Sequence, residues 1–261
     1  MTREQADDAY ANSKHIPNGE TYLARWEATA QVFRDHHRLK ELNVPYGPDA
    51  RQTYDIFHPE RLAKGTVVFL HGGYWMAGAP GMFSHLATGA LGAGYACAMP
   101  GYTLAPGARI GDIVHEVAMA LEAIVRCTAG PIYLAGHSAG GHLAARMACV
   151  DMMAEWSVRL ARIVPISPLS DLEPLRATSM NDTLGIDAEE ARAESPVHHV
   201  PQEVPVTVWV GGAERPAFLQ QAQALAKAWG CGHVVEPARH HFDVIEGLER
   251  PDSALMQTLL A

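Results

Sequence analysis

Pro131-Ile132-Tyr133-Leu134-Ala135 runs directly into Gly136-His137-Ser138-Ala139-Gly140, and Gly141 to Val150 (GHLAARMACV) follows. The first stretch has the apolar character of a short buried strand, and the last is rich in helix formers. Between them stands G-x-S-x-G. Strand, sharp glycine turn and helix form the context of a nucleophile elbow, in which flanking glycines relieve crowding and leave the serine hydroxyl exposed. The new helix also directs its free N-terminal N–H groups towards the serine. Gly, Ser and Ala are common residues, so an ordinary glycine-rich turn accounts for the motif equally well until a second signal joins it.

Thr66-Val67-Val68-Phe69-Leu70 supplies that signal. It is a short β-branched run, as expected of a buried parallel strand, and it ends in His71-Gly72-Gly73-Tyr74-Trp75. Glycine at a strand's C-terminal end lets the backbone approach a substrate closely and turn its N–H groups inward, which is what an oxyanion hole requires. A glycine turn beside core aromatics is the simpler reading of this stretch alone. Its pairing with G-x-S-x-G, each motif following a strand, favours the chemical one.

Outward from these two motifs the chain alternates. Residues 1–18 lack periodicity and read as a surface wrap. Gly19–Lys40 has a helical pattern, with Tyr22, Leu23, Trp26, Ala30 and Phe33 near one face. Leu42–Val44 and Gln52–Phe57 read as antiparallel strands around a turn at Tyr46-Gly47-Pro48-Asp49. Further strands are expected at 95–99, 162–166, 205–210 and 233–235. Helices are expected at 81–91, 110–127, 138–154, 217–229 and, for the most part, 242–260. Strands alternating with helices imply one mostly parallel sheet covered on both faces. Ser167–Glu203 has few strand signals and is expected to be a small cap inserted over the sheet's carboxyl edge. With Tyr74 and Trp75 it would wall the cleft, because sites in such sheets lie beyond the carboxyl ends of the strands.

A serine nucleophile needs a base and an acid to orient that base. In folds with this elbow the chain order is serine, acid, histidine. His240 and His241 are the histidines that follow the last expected strand, apart from His233 within it, and His241 directly precedes the helical Phe242-Asp243-Val244. The acid should follow the penultimate strand, where Glu214 is the one carboxylate in Gly211-Gly212-Ala213-Glu214-Arg215-Pro216. Asp171 is the competitor, with the simpler role of capping a short helix. Three adjacent histidine pairs, His36-His37, His198-His199 and His240-His241, raise a metal reading. Neighbouring residues point apart on a strand and lie about 100° apart on a helix, so such pairs do not readily chelate one ion. No metal or cofactor is expected.

His71-Gly72-Gly73-Tyr74-Trp75 resembles the HGGxW motif of the α/β-hydrolase type kynurenine formamidases, or arylformamidases. The resemblance covers most of the chain. It extends through Tyr10 with Asn12, Tyr46-Gly47, Asp55-Ile56-Phe57-His58-Pro59, Glu214-Arg215-Pro216-Ala217-Phe218 and His241-Phe242-Asp243. It implies an α/β-hydrolase fold over residues 1–261, with 167–203 as the cap insertion, and a triad of Ser138, Glu214 and His241. Glu214 departs from the family's usual Asp. The oxyanion donors implied are the backbone N–H groups of Gly73, Tyr74 and Ala139. His71 is expected to brace the loop, and His142 to pack beneath the elbow.

The 261 residues suit one large α/β domain, with 48% hydrophobic residues to fill its core. The net charge of −9 and the scattered Lys and Arg give no basic stripe for nucleic acid. Cys97, Cys127, Cys149 and Cys231 are far apart and imply no disulfide framework. The polar N-terminal stretch MTREQADDAY does not read as a signal peptide, and no apolar run reaches membrane-spanning length. A cytoplasmic hydrolase of a small ester or formamide is the expectation, with a homodimer left open. The alternatives are a general carboxylesterase or thioesterase, and a binding protein that keeps the scaffold without its catalysis.

Overall fold

The structure is a computed structural model that describes residues 2–261. Among the described residues eight strands form one sheet in the order β1-β2-β4-β3-β5-β6-β7-β8. These are β1 (Lys40–Pro45), β2 (Thr53–Phe57), β3 (Thr66–Leu70), β4 (Ala96–Pro100), β5 (Ile132–His137), β6 (Leu160–Ile166), β7 (Thr207–Gly211) and β8 (Gly232–Glu236). β1 and β2 are antiparallel to their neighbours, and the other pairings are parallel. The expected sheet is therefore present, and β3 and β5 lie side by side, with Leu70 opposite Gly136. That pairing brings the HGGYW turn and the serine turn to the same edge.

The helices are α1 (Arg3–Tyr10), α2 (Tyr22–His36), α3 (Ala87–Gly92), α4 (Ile110–Cys127), α5 (Ala139–Met147), α6 (Asn181–Leu184), α7 (Ala188–Ala193), α8 (Pro216–Trp229) and α9 (Ala254–Leu260). Two apolar layers sandwich the sheet. Along β3, Val68 and Leu70 face the layer holding α4 and α5, while Val67 and Phe69 face the layer holding α3 and α9. α4 shows why it packs. Ile110, Ile113, Val114, Val117, Leu121 and Ile124 recur at helical spacing, and all are fully buried.

Several boundaries differ from expectation, each for a local reason. The N-terminal stretch read as a surface wrap does not, over the described residues 2–18, simply wrap the surface. Thr2 and Gln5 form a capping box that starts α1, and Ala6 and Tyr10 are buried. The helix expected to reach Lys40 ends at His36, because Lys40 already pairs with Phe57 in the sheet. The elbow helix ends at Met147, not Ala154, since Cys149 is extended and bridges Pro201. The C-terminal helix is split into a 3-10 turn at Val244–Glu249 and α9. Arg250 is held extended before Pro251, as a residue preceding proline prefers.

Candidate active site

Ser138 sits between β5 and α5 with φ 58° and ψ −117°, a conformation that non-glycine residues avoid. Its N–H is held by the Ile166 carbonyl at 2.9 Å, and its own carbonyl receives the His142 N–H at 3.0 Å. The glycines are required by close approach. A Cβ on Gly140 would lie 2.0 Å from the Leu70 carbonyl oxygen. The turn is therefore wedged against the end of β3, and the serine is held at the edge of the cleft that it lines.

His241 Nδ1 lies 2.6 Å from Glu214 Oε2. Both side chains are almost completely buried. A carboxylate only accepts, so Nδ1 carries the proton and Nε2 keeps its lone pair. The other Glu214 oxygen, Oε1, receives the Gly211 N–H at 2.8 Å and the Ser167 hydroxyl. Three donors thus fix the carboxylate. The acid and histidine loops are tied together as well. Ala213 N–H donates to the Arg239 carbonyl at 2.8 Å, and His137 Nε2–H donates to the His241 carbonyl at 2.8 Å. Burial, with His241 next to it, holds His137 well below the usual histidine range, so it stays neutral.

The two adjacent histidines have different tasks. His240 Nδ1 accepts the N–H groups of Phe242 and Asp243, and its Nε2 meets the Tyr22 hydroxyl at 3.1 Å. It therefore caps its own loop and anchors the start of α2. The competing acid Asp171 accepts the Glu173 N–H at 3.0 Å, one residue before Leu172, the cap of the short 3-10 turn Glu173–Ala177.

In the HGGYW turn, Gly73, Tyr74 and Trp75 all have positive φ. Gly73, at 116°, is where only glycine is comfortable, and a Cβ there would meet the Ala77 carbonyl oxygen at 2.3 Å. Among the described residues the backbone N–H groups of Gly73, Tyr74 and Ala139 have no protein acceptor. His71 Nδ1–H donates to the Gly72 carbonyl at 2.8 Å, its own carbonyl receives the Tyr102 hydroxyl at 2.9 Å, and the two rings stack at 4.4 Å. Burial lowers its pKa to about 4, which suits a neutral brace.

Ser138 and His241 open into a cleft of about 560 Å³, within the usual range for small-molecule sites. Its walls differ from expectation. Trp75 is fully buried, packs edge-on against His142, and does not line the cleft. Residues 167–203 contribute none of the lining either. They pack behind α5, where His142 meets the Glu194 carbonyl and Arg146 pairs with Glu194 at 2.9 Å. The missing wall comes from the N-terminal segment, which brings Asn12, Leu23 and Trp26 over the serine.

The sequence model of a family described by its alpha/beta hydrolase fold matches residues 67–240. The chain belongs to this α/β-hydrolase family. It is a hydrolase of the arylformamidase-like type. A kynurenine formamidase of Salmo salar is 30% identical over 84% of the chain and 80% of its own length, and one of Drosophila melanogaster is 25% identical over 96% and 93%. A Silicibacter protein provisionally described as a thioesterase is 48% identical, with a TM-score of 0.97 over 98% of this chain and 99% of its own. Esterase B of Lactobacillus rhamnosis, at 20% identity and a TM-score of 0.69 over 92% of each chain, shares the fold.

Three features of this α/β-hydrolase escaped the sequence reading. Ser167 follows β6 with φ 48° and donates to Glu214, although nothing in Ile166-Ser167-Pro168 distinguishes it from a strand-end turn. His137, the variable residue of the elbow, supports the histidine loop. The placement of the N-terminal wall over the cleft escaped the sequence reading too, although the helix read over 19–40 is present as α2. Away from the cleft, ligand-capable atoms of Cys149, Asp151 and His199 lie within 4.8 Å of one another. There burial pushes the Cys149 thiol up to about 12, and Arg146 already holds Asp151 at 2.9 Å. No helix among the described residues is long and apolar enough to cross a membrane.

Proposed function

We propose that this α/β-hydrolase cleaves a small formamide or ester by way of an acyl-enzyme on Ser138. His241 Nε2 takes the hydroxyl proton as Oγ bonds to the carbonyl carbon. The carbonyl oxygen becomes an oxyanion held by the N–H groups of Gly73, Tyr74 and Ala139, where one such donor contributes about 3 kcal/mol. The intermediate collapses, the bond to the leaving group breaks, and His241 returns the proton to the departing amine or alcohol. Water then gives a proton to His241 and attacks the acyl carbon, releasing formate or another small acid and restoring Ser138. Glu214 keeps the proton on His241 Nδ1 and stabilises the imidazolium.

The observation that carries this reading is the 2.6 Å contact from Glu214 to a histidine lining the same cleft as Ser138. The kynurenine formamidase relatives favour N-formylkynurenine or a similar N-formyl aromatic amine as substrate. The apolar faces of Leu23, Trp26, Phe83 and Phe242 suit an aromatic leaving group. The Silicibacter protein, 48% identical, gives a specific reason to test a short acyl-thioester as the second reading. Measuring kcat/KM for N-formylkynurenine, for p-nitrophenyl esters of increasing acyl length and for acetyl-thioesters decides between them. The formamidase reading predicts the highest value for the formyl compound and a decline with acyl length. A rate that rises steadily towards long acyl chains would sink the small-acyl reading.

A further inference from the structure

Asn12 follows α1, is only 6% exposed and lines the cleft. Its backbone already holds the turn. Its N–H donates to the Tyr10 carbonyl and its carbonyl receives the His15 N–H, both at 3.0 Å. With φ −54° the position is ordinary helical backbone that does not call for asparagine. Its Oδ1 is buried and has no partner among the described residues. A buried polar atom left unpaired is destabilising and needs an explanation. The other buried side chains with such an atom among the described residues are His71, Trp75, His85, Thr103, His142 and Arg215. None of them lines the cleft. The segment is also tied to the reacting groups, since the Tyr74 hydroxyl in the HGGYW turn donates to the Tyr10 carbonyl at 2.7 Å, two residues from Asn12.

An unpaired acceptor on a residue that lines the cleft calls for a donor on the substrate. Of the acyl compounds that a serine hydrolase cleaves, esters and thioesters carry no hydrogen at the scissile heteroatom, whereas a secondary amide carries an N–H. We propose that Asn12 is a specificity-determining residue whose carboxamide oxygen accepts the scissile N–H of an N-acyl aromatic amine, raising this enzyme's preference for amides relative to the matching esters. The proposal rests on the acyl-enzyme reading above. In the collapse step the C–N bond breaks and the nitrogen receives the proton that Ser138 gave to His241. Holding the nitrogen's own hydrogen on Asn12 turns its lone pair towards His241. A site that hydrogen-bonds a substrate N–H discriminates against the analogue lacking it far more strongly than an apolar pocket can.

The test is the ratio of kcat/KM for formanilide to kcat/KM for phenyl formate, corrected for spontaneous hydrolysis. It is measured on the full chain and on Asn12→Leu and Asn12→Asp, with thermal melts to check folding. Asn12→Leu should lower the ratio about 10-fold or more. Asn12→Asp, which keeps an acceptor, should recover most of it. An unchanged ratio in Asn12→Leu, however far both rates fall, would overturn the proposal and leave Asn12 as packing. If Asn12→Leu does not fold, Asn12→Ala carries the same comparison. A wild-type enzyme that cleaves phenyl formate through Ser138 but not formanilide overturns the Asn12 proposal and leaves the hydrolase reading standing. Failure on both substrates, together with no covalent labelling of Ser138, removes that reading and the proposal with it.

Discussion

The floor and the roof of the cleft are built differently. The floor is the carboxyl edge of the sheet, where Gly140 is pressed against Leu70 and where Glu214 receives three donors. Both oxygens of its buried Glu214 carboxylate are hydrogen-bonded, and its backbone is strained where Ser138 turns. The roof is the segment from α1 to α2, fastened by the buried rings of Tyr10, Tyr22 and Trp26 against Phe218, Phe242 and Phe83 and by a half-exposed ion pair of Arg215 with Asp8 at 2.8 Å. Ion pairs of that kind contribute little. On the proposed reading this difference separates chemistry from selectivity: the floor would attack the carbonyl, and the roof would select among substrates. Changes in the floor should act on kcat, and changes in the roof on KM or on substrate ratios.

The largest effect expected from an isosteric change lies in the floor. Glu214→Gln should lower kcat about 100-fold or more, because an amide can present the wrong group to His241 Nδ1 and cannot stabilise an imidazolium. Asp171→Asn, which alters only a cap on the Glu173 N–H, should leave kcat within about 2-fold. The opposite order in steady-state kinetics would move the acid to the earlier strand.

Acid should damage the floor next. Burial lowers the pKa of His71 to about 4 and that of His142 to about 3, while unfolded histidine titrates near 6.5. Between those limits the unfolded chain binds protons that the native chain does not, so stability falls as pH drops below 6.5. At pH 5 each of the two contributes a loss of about 2 kcal/mol. Urea unfolding at pH 7 and pH 5 measures this. A flat profile would mean that these histidines are hydrated in the folded state.

Tyr74→Phe cuts one direct tie between floor and roof. Removing the 2.7 Å hydrogen bond to the Tyr10 carbonyl should destabilise the fold by about 1 kcal/mol, a few degrees in Tm for a chain of this size. KM for aryl substrates should rise more than kcat falls. Leu23→Ala should do less. Leu23 lines the cleft but is 53% exposed, so its loss should raise KM for aromatic substrates a few-fold, with Tm and kcat unchanged. A fall in kcat from this variant would blur the division between floor and roof.

The same division governs how much could be read from the sequence. The floor was legible because local chemistry forces its residues. Gly136-His137-Ser138-Ala139-Gly140 after an apolar run allows few conformations, and the order serine, acid, histidine then leaves Glu214 and His241 as the natural partners. The sheet followed from the alternation of short apolar runs with amphipathic helices such as α4. The roof was not legible, because its placement depends on tertiary contacts with no sequence period. Tyr10 reaches Gln221 and Phe218 across most of the chain. The 167–203 segment, lacking strands, read as a cap, yet its polar groups are used in packing against Arg146 and His142. Ser167 was invisible for a related reason: a hydroxyl becomes a carboxylate donor only once β6 and β7 place it next to Glu214.

The central claim is that the strained turn presents Ser138 as an activated nucleophile. Labelling with a fluorophosphonate, followed by mass-spectrometric mapping of the modified peptide, tests it most directly. The account predicts one label per chain, on Ser138, absent from Ser138→Ala and formed at least about 100-fold more slowly in Glu214→Gln. A label that persists in Ser138→Ala, or that maps to another residue in the wild-type chain, would contradict it.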